Sequence, residues 1–222
     1  MERPGTADSN ADARILRASG YRRERWRNGA GWTSQVHAQP AADGVAEWDW
    51  RLSIAEIDAD APFSAFPGVD RELVLLEGNG MRLRFDDGEV HELLPPHDRL
   101  RFAGERSLVG ELVDGPTRDF NLMWRRDAID ASLWHRPLVG SMLVFVDPGE
   151  TWALHLLAGQ ARIVEGMAVE GTAASVDDAT LAMGDTALLS AGLPGAGASR
   201  RRYMLDGGGE LLVMRLQYTS RR

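Results

Sequence analysis

Cysteine is absent from the 222 residues, and so is lysine. The first absence excludes disulfides, thiolate metal sites and cysteine nucleophiles. The second excludes Schiff-base chemistry and the phosphate-gripping lysine of a P-loop. All 25 basic residues are therefore arginines. Codon bias alone can produce that, so arginine abundance by itself carries no function. Positive charge is in short supply: 33 acidic residues against 25 basic ones leave a net charge of -8. This argues against a nucleic-acid binder, because phosphate contacts need a basic face. Long apolar runs are missing as well. "SMLVFV" (Ser141 to Val146) is typical of what is present, far short of the ~20 residues a membrane helix needs. The N-terminus has no apolar core of signal-peptide length. The expected setting is the cytoplasm, with no membrane partner.

What is there suits a packed core: 44% hydrophobic and 26% charged residues, ordinary for a globular chain. The length fits one large β domain or two small ones. Apart from a short helical turn expected near Asp127–Leu133, helical periodicity is scarce. Strand patterns recur instead. In "WDWRLSIAEI", Trp48, Trp50, Leu52 and Ile54 alternate with Asp49, Arg51, Ser53 and Ala55, the period of a pleated strand. "MRLRF" sets Met81, Leu83 and Phe85 against Arg82 and Arg84. "RLRF" sets Leu100 and Phe102 against Arg99 and Arg101, and "FNLMW" sets Phe120, Leu122 and Trp124 against Asn121 and Met123. Later runs are "TWALHLL", "TALLS" and "ELLVMRL". Short strands punctuated by Gly and Pro indicate a sandwich or barrel.

A weak repeat runs through the chain. "LVLLEGNGMRL" from Leu73 and "LHLLAGQARIV" from Leu154 share Leu-x-Leu-Leu-x-Gly. "LPPHDRLRFAG" answers to "LAMGDTALLSAG", pairing Asp98 with Asp185, and "NLMWR" answers to "LLVMR", pairing Met123 with Met214. Three matched segments in one order point to two copies of a β unit. The boundary falls between Arg125 and Gly140. The organisation expected is a loose tail over 1–13, an N-terminal barrel over 14–126 and a second barrel over 127–222.

The strand–Gly turn–strand unit followed by a "GD" turn resembles the cupin barrel, and two copies would make a bicupin. The fold class expected is therefore all-β: two tandem jelly-roll (cupin) barrels with few short helices. The segments "WRNGAGWTSQV" (Trp26 to Val36), "WRLSIAEI" (Trp50 to Ile57), "PFSAFPGVDRELVLLEGNGMRL" (Pro62 to Leu83) and "FNLMWRR" (Phe120 to Arg126) resemble, in that order, the HutD/Ves family. Ala30 departs from the Asn-Gly-Gly-Gly run usual there and strains the loop if its φ is positive. The resemblance implies a metal-free bicupin that binds a small anionic metabolite in its N-terminal barrel. Intermediates of histidine breakdown such as formylglutamate are the suggested ligands, and a regulatory or protective role in histidine utilisation is implied.

The residues themselves speak against a metal cofactor. Metal cupins use His-x-His with a carboxylate and a further histidine. The five histidines here, His37, His91, His97, His135 and His155, never form His-x-His. Asp70 and Arg71 stand near where the first cluster would be expected, and an arginine is a donor only. His155, alone in "WALHLL", reads as a structural or solvent-facing residue. The polar faces are more informative. If the Arg51–Ser53 face looks into a barrel, it meets Thr33, Gln35 and His37 from "WTSQVH" and Asn121 and Met123 from "FNLMW". A few polar groups in an apolar barrel make a small-molecule pocket. A guanidinium fork matches a carboxylate bidentately, worth roughly 1.5–3 kcal/mol. Arg51 and Arg71 are the candidate anion ligands, with Ser53, Thr33, Gln35, Asn28, Asn121, Met123, Phe63 and Ser64 around them. The alternative is that these are solvent faces, with Arg71 paired to Asp70 or Glu77. Asp70 either orients Arg71 or is exposed. Asn28 has a plainer role in a turn, and Trp26, Phe63 and Phe66 either close an apolar lid or pack the core. Asp86, Asp87 and Gly88 form a hairpin turn, not a carboxylate site.

Three functions are consistent with this. The first is a carboxylate-binding protein. The second is a metal-independent cupin hydrolase or isomerase acting on a related carboxylate, with His37 or Asp70 as acid–base and Glu77 a further candidate for that role. The third is an interaction protein whose barrels pack with a partner or with themselves, a homodimer included. No nucleophile–base pair is visible, and no catalytic residue is assigned.

Overall fold

In a computed structural model the described residues are 13–166, 180–192 and 198–219. They are almost entirely β-strand, with one 3-10 turn at Ala18–Gly20. Among the described residues no helix is long and apolar enough to cross a membrane. The tail expected over 1–13 lies outside the described residues except for Ala13. Two compact units are present: Ser19–Asp130 with Thr219, and residues up to Ala18 with Ala131–Tyr218.

The first unit holds two sheets. One orders β2 (Arg22–Arg25), β3 (Gly31–Gln39), β4 (Trp50–Ile57), β11 (Thr117–Arg125), β6 (Val69–Glu77) and β9 (Arg99–Ala103) side by side. The other orders β5 (Ala61–Pro62), β10 (Leu108–Leu112), β7 (Met81–Phe85) and β8 (Val90–Leu93). Neighbouring strands of these two sheets pair antiparallel. Ala55, Ile57, Leu73, Leu75 and Phe102 of the first sheet pack with Met81, Leu83, Phe85, Leu93 and Leu108 of the second. The alternation of "MRLRF" is thereby resolved: Met81, Leu83 and Phe85 are buried, and Arg82 and Arg84 bond Glu92 and Glu111 at the surface. The turn expected at Asp86–Gly88 joins β7 to β8, with Gly88 at φ 91°.

The second unit is one sheet, β1 (Ala13–Leu16), β15 (Thr186–Ser190), β13 (Glu150–Gly166), β16 (Arg201–Tyr218) and β12 (Ile129–Val146), with β14 (Thr180–Ala182) against β13. Its first strand comes from the far end of the chain: Ala13 pairs with Leu189 and Leu16 with Thr186. The helical turn expected near Asp127–Leu133 is not formed. A turn ends at Ala128, and Ile129, Ala131 and Leu133 are buried at every second position of β12. His155 is buried, its Nδ1 2.9 Å from Thr186 Oγ1.

The sequence repeat has matching geometry inside each unit. Leu75 N–H donates to the Asp98 carbonyl at 2.9 Å, and Leu156 N–H donates to the Asp185 carbonyl at 3.0 Å. The two motif glycines, Gly78 and Gly159, both take positive φ, 106° and 88°. Each sits against backbone where a Cβ would intrude.

Candidate functional site

Residues paired across antiparallel strands point to the same side of the sheet. Ser53 lies opposite both Gln35 and Asn121, and Ala55 opposite Thr33 and Asp119. Met123 lies between Arg51 and Arg71, and Arg71 faces Phe102 on its other flank. One side of β3, β4, β11, β6 and β9 thus gathers Thr33, Arg51, Ser53, Arg71, Asp119, Asn121 and Met123. The buried residues Trp50, Leu52, Ile54, Phe120, Leu122 and Trp124 point to the opposite side.

A cavity of about 640 Å³ opens on the polar side. Arg51, Ser53, Ala55, Arg71, Asn121, Met123 and Thr33 supply its sheet wall. Pro62, Phe63, Ser64 and Phe66 close one flank, and Glu24 to Asn28 another. None of the five histidines lines it.

Arg71 is the deep cation, only 6% exposed. Its Nη2 donates to Asn121 Oδ1 at 2.9 Å, and Nη1 reaches the Ser64 carbonyl at a long 3.4 Å. Its guanidinium carbon lies 5.2 Å from the Phe63 ring centre, 5.7 Å from that of Phe66 and 5.1 Å from that of Phe102. Aromatic faces attract a cation but accept no strong hydrogen bond. The buried Nε has no protein partner. Burial lowers the Arg71 pKa to about 10, with Asp119 opposing that shift and Arg51 adding to it.

Asn121 is held by the other end of its amide. Its Nδ2 donates to Asp119 Oδ1 at 2.6 Å, which leaves Oδ1 for Arg71. Asp119 is fully buried, and its Oδ2 has no partner among the described residues. Burial pushes the Asp119 carboxyl up to about 7, held back by the Arg71 charge and the Asn121 hydrogen bond.

Arg51 is the second cation. It makes no ion pair among the described residues, and its buried Nε is without a partner. Burial lowers its pKa against the pull of Glu47 and Glu24. Most other arginines of this unit are neutralised by carboxylates, as Arg126 is by Asp70 and Glu105, whereas the rim residues Arg25 and Arg27 make no ion pair among the described residues.

At the rim, Trp26 Nε1 donates to Thr33 Oγ1 at 2.8 Å, and Arg25 Nη2 to the Gly29 carbonyl at 3.0 Å. Asn28 Oδ1 accepts from the Ala30 N–H at 3.1 Å, the turn role expected of it. The positive φ of this loop, 74°, falls on Gly29 and not on Ala30. Gly31 is required for another reason: a Cβ there would lie 2.4 Å from the Glu56 carbonyl oxygen.

Of the residues singled out from sequence, Arg51, Arg71, Ser53, Thr33, Asn28, Asn121, Met123, Phe63 and Ser64 come together around the cavity. Gln35 shares the register of Ser53 but is not part of the lining. Trp26 and Phe66 line it too, and Phe63 also packs on the core. His37 does not share the face of Thr33 and Gln35. A bulge after Gln35 sets it opposite Leu52, with its ring 4.8 Å from Trp50. Asp70 does not orient Arg71 either, because successive strand residues face opposite ways. It accepts from Arg101 at 3.1 Å and Arg126 at 3.0 Å, while Glu77 bonds Arg118. None of the acid–base candidates His37, Asp70 and Glu77 lines the cavity. The residue missed is Asp119, although "TRDFNLMWR" carries it two positions before Asn121 and so on the same face.

Known proteins frame this geometry. A family model described as HutD matches residues 18–212. An uncharacterised 21.2 kDa protein in the hutC 3′ region of Pseudomonas putida is 40% identical over 110 residues, 50% of this chain and 57% of that protein. Protein Ves of Cronobacter sakazakii is 38% identical over 109 residues, 49% of this chain and 58% of its own. The chain thus spans less than two thirds of the length of these relatives. HutD from Pseudomonas fluorescens SBW25, solved in a formate condition, superposes with a TM-score of 0.75 at 25% identity, covering 94% of this chain and 100% of that one. The fold alone extends to proteins below 10% identity, among them an oxalate decarboxylase of Lactobacillus farciminis with a TM-score of 0.60, over 96% of this chain and 87% of that one. The all-β cupin class expected from the sequence is the class of these neighbours.

Proposed function

The chain belongs to the HutD family, and from that premise we propose that it is a cytoplasmic, metal-independent binding protein that captures a small carboxylate and so adjusts histidine utilisation. One observation carries the reading. Two arginines, Arg51 and Arg71, line a single cavity without a carboxylate salt bridge, and a buried Nε of each has no protein partner. Burying an arginine without pairing it is unfavourable for folding, so the arrangement fits a group kept for an incoming anion. The aromatic box holds the Arg71 guanidinium in place while Nη2 donates to Asn121, so the unpartnered Nε and the loosely held Nη1 are the donors left for a ligand. Serine, threonine and asparagine offer uncharged contacts to the remaining polar atoms of a formyl-amino acid.

The test is calorimetric titration of chelator-treated protein with N-formylglutamate, then formate, urocanate and glutamate. Saturable binding that survives chelation and is lost in Arg51→Ala and Arg71→Ala supports the reading. Absence of binding by all four favours the interaction-protein reading instead. Product formation in the same samples would move the protein to the enzyme class.

A further inference from the structure

Asp119 lies under the cavity floor, and the binding of an anion above it leaves its role unassigned. In register it sits between Ala55 on β4 and Leu75 on β6, two residue pairs, and so one same-facing row, from the Ser53–Asn121–Leu73 row. It is solvent-inaccessible, with Oδ1 held by Asn121 and Oδ2 unpartnered. The charges that face it are few. β6 contributes Arg71, and β4 contributes Arg51. β3 contributes uncharged Thr33 and Gln35, and β9 contributes Leu100 and Phe102. Among the described residues the opposite sheet presents Met81, Leu83, Phe85, Leu93, Leu108 and Leu112, and at its edge His91, which lies in register with Leu83 and bonds Glu89. Glu24 is at the rim, and His37 is on the other side of the sheet.

We propose that Asp119 couples anion capture to proton uptake: as a small carboxylate seats beside Arg71, Asp119 takes one proton from water, and binding tightens as the medium becomes more acidic.

The inference rests on the carboxylate-binding reading and adds its regulation. An ionised Asp119 offsets the charge of Arg71 through the Asn121 amide and weakens the potential that a ligand carboxylate meets. An incoming carboxylate, in turn, repels an ionised Asp119 where no water screens the pair. The two effects are one linkage seen from either side. Because burial already holds this carboxyl near 7, a repelling anion that lifts its titration by about two units or more loads the proton through neutrality and up to about pH 8. Asn121 is the positioning element: its amide joins the titrating group to the guanidinium and keeps its Oδ1 toward Arg71 in both states.

The experiment is titration with formate and with N-formylglutamate at pH 6, 7, 8 and 8.5, in buffers of differing ionisation enthalpy. The ligand carboxylates stay ionised throughout. Uptake of about half a proton at pH 7, approaching one at pH 8, is expected from one group titrating near neutrality. Affinity then falls several-fold per pH unit above 7, and as much as tenfold in the limit. Asp119→Asn, checked for folding by circular dichroism, binds with flat affinity over the range and no proton uptake. Wild-type binding without proton exchange overturns the coupling and leaves the binding reading intact. Retention of the wild-type slope in Asp119→Asn assigns the proton elsewhere and also overturns it. If the variant does not fold, the wild-type proton count decides alone. If neither ligand binds at any pH, the binding reading and the coupling fall together.

Discussion

Replacing Arg71 by methionine separates a residue kept for a ligand from one kept for the fold. The lowering of the Arg71 pKa from its ordinary value to about 10 corresponds, at 1.36 kcal/mol per unit, to about 3 kcal/mol against the buried charge. Arg71→Met removes that penalty. It also removes the hydrogen bond to Asn121, about 1.5–3 kcal/mol for a charged donor, with the orphaned carbonyl included in the upper value. Cation–π attraction is lost at about 0.5–2 kcal/mol, while the thioether still packs against Phe63, Phe66 and Phe102 with a sulfur–aromatic gain of roughly 0.3–1.5 kcal/mol. These terms nearly cancel. Stability is expected within about 2 kcal/mol of wild type, a shift in Tm of no more than about 8 °C for a chain of this size. Carboxylate affinity is expected to drop about 10- to 150-fold, the equivalent of a lost charge-assisted bond. Urea denaturation and calorimetry on one preparation measure both. A loss above about 3 kcal/mol, the usual result of breaking a structural buried ion pair, together with intact binding, would refute the reasoning.

Other expectations follow from the same geometry. Arg51→Ala weakens carboxylate binding at least tenfold and leaves Tm within about 2 °C, since Arg51 makes no ion pair among the described residues; calorimetry and a thermal melt check this, and EDTA treatment changes neither. Gly31→Ala places a Cβ 2.4 Å from the Glu56 carbonyl oxygen and should cost about 1–3 kcal/mol, seen as a lower urea midpoint. Asp119 holds its proton to a higher pH folded, at about 7, than unfolded, at 3.8. Wild-type stability should therefore fall as pH rises from about 4 to 7 and stay lowered above 7. Asp119→Asn lacks this slope, so its melting temperature relative to wild type should rise between pH 4 and 8; a constant difference would show that Asp119 does not titrate in that window.

Much of the cavity was legible because one rule governs it. Alternation in "WDWRLSIAEI" and "FNLMW" separates Arg51, Ser53, Asn121 and Met123 from their apolar neighbours, and the structure keeps that separation. The same rule, carried two residues further back, places Asp119 beneath Asn121; read alone, an aspartate before an apolar run looks like a surface residue. His37 was misplaced because the rule fails at a bulge, and nothing in "WTSQVH" marks an inserted residue. The helical turn near Asp127–Leu133 was a period error, since Ile129, Ala131 and Leu133 also alternate. The pairing of Ala13–Leu16 with β15 joins residues 170 or more positions apart, and four residues carry no record of so distant a neighbour.

Strand alternation has a consequence for how this cavity can change. Asp70 and Arg71 are adjacent in the chain yet belong to different surfaces, one tied to Arg101 and Arg126, the other to Asn121. Drift at position 70 is answered by compensating changes at 101 and 126 and need not be felt by a bound molecule. Drift at 71, 51, 53, 121 or 123 alters what the cavity accepts. Ligand preference is thus written at a few odd positions of β4, β6 and β11, while Ile57, Leu73 and Leu75 on the same face, and the letters between, hold the framework. A library confined to Arg51, Ser53, Arg71, Asn121 and Met123 could explore new small anions while leaving the core residues Ala55, Ile57, Leu73 and Leu75 untouched.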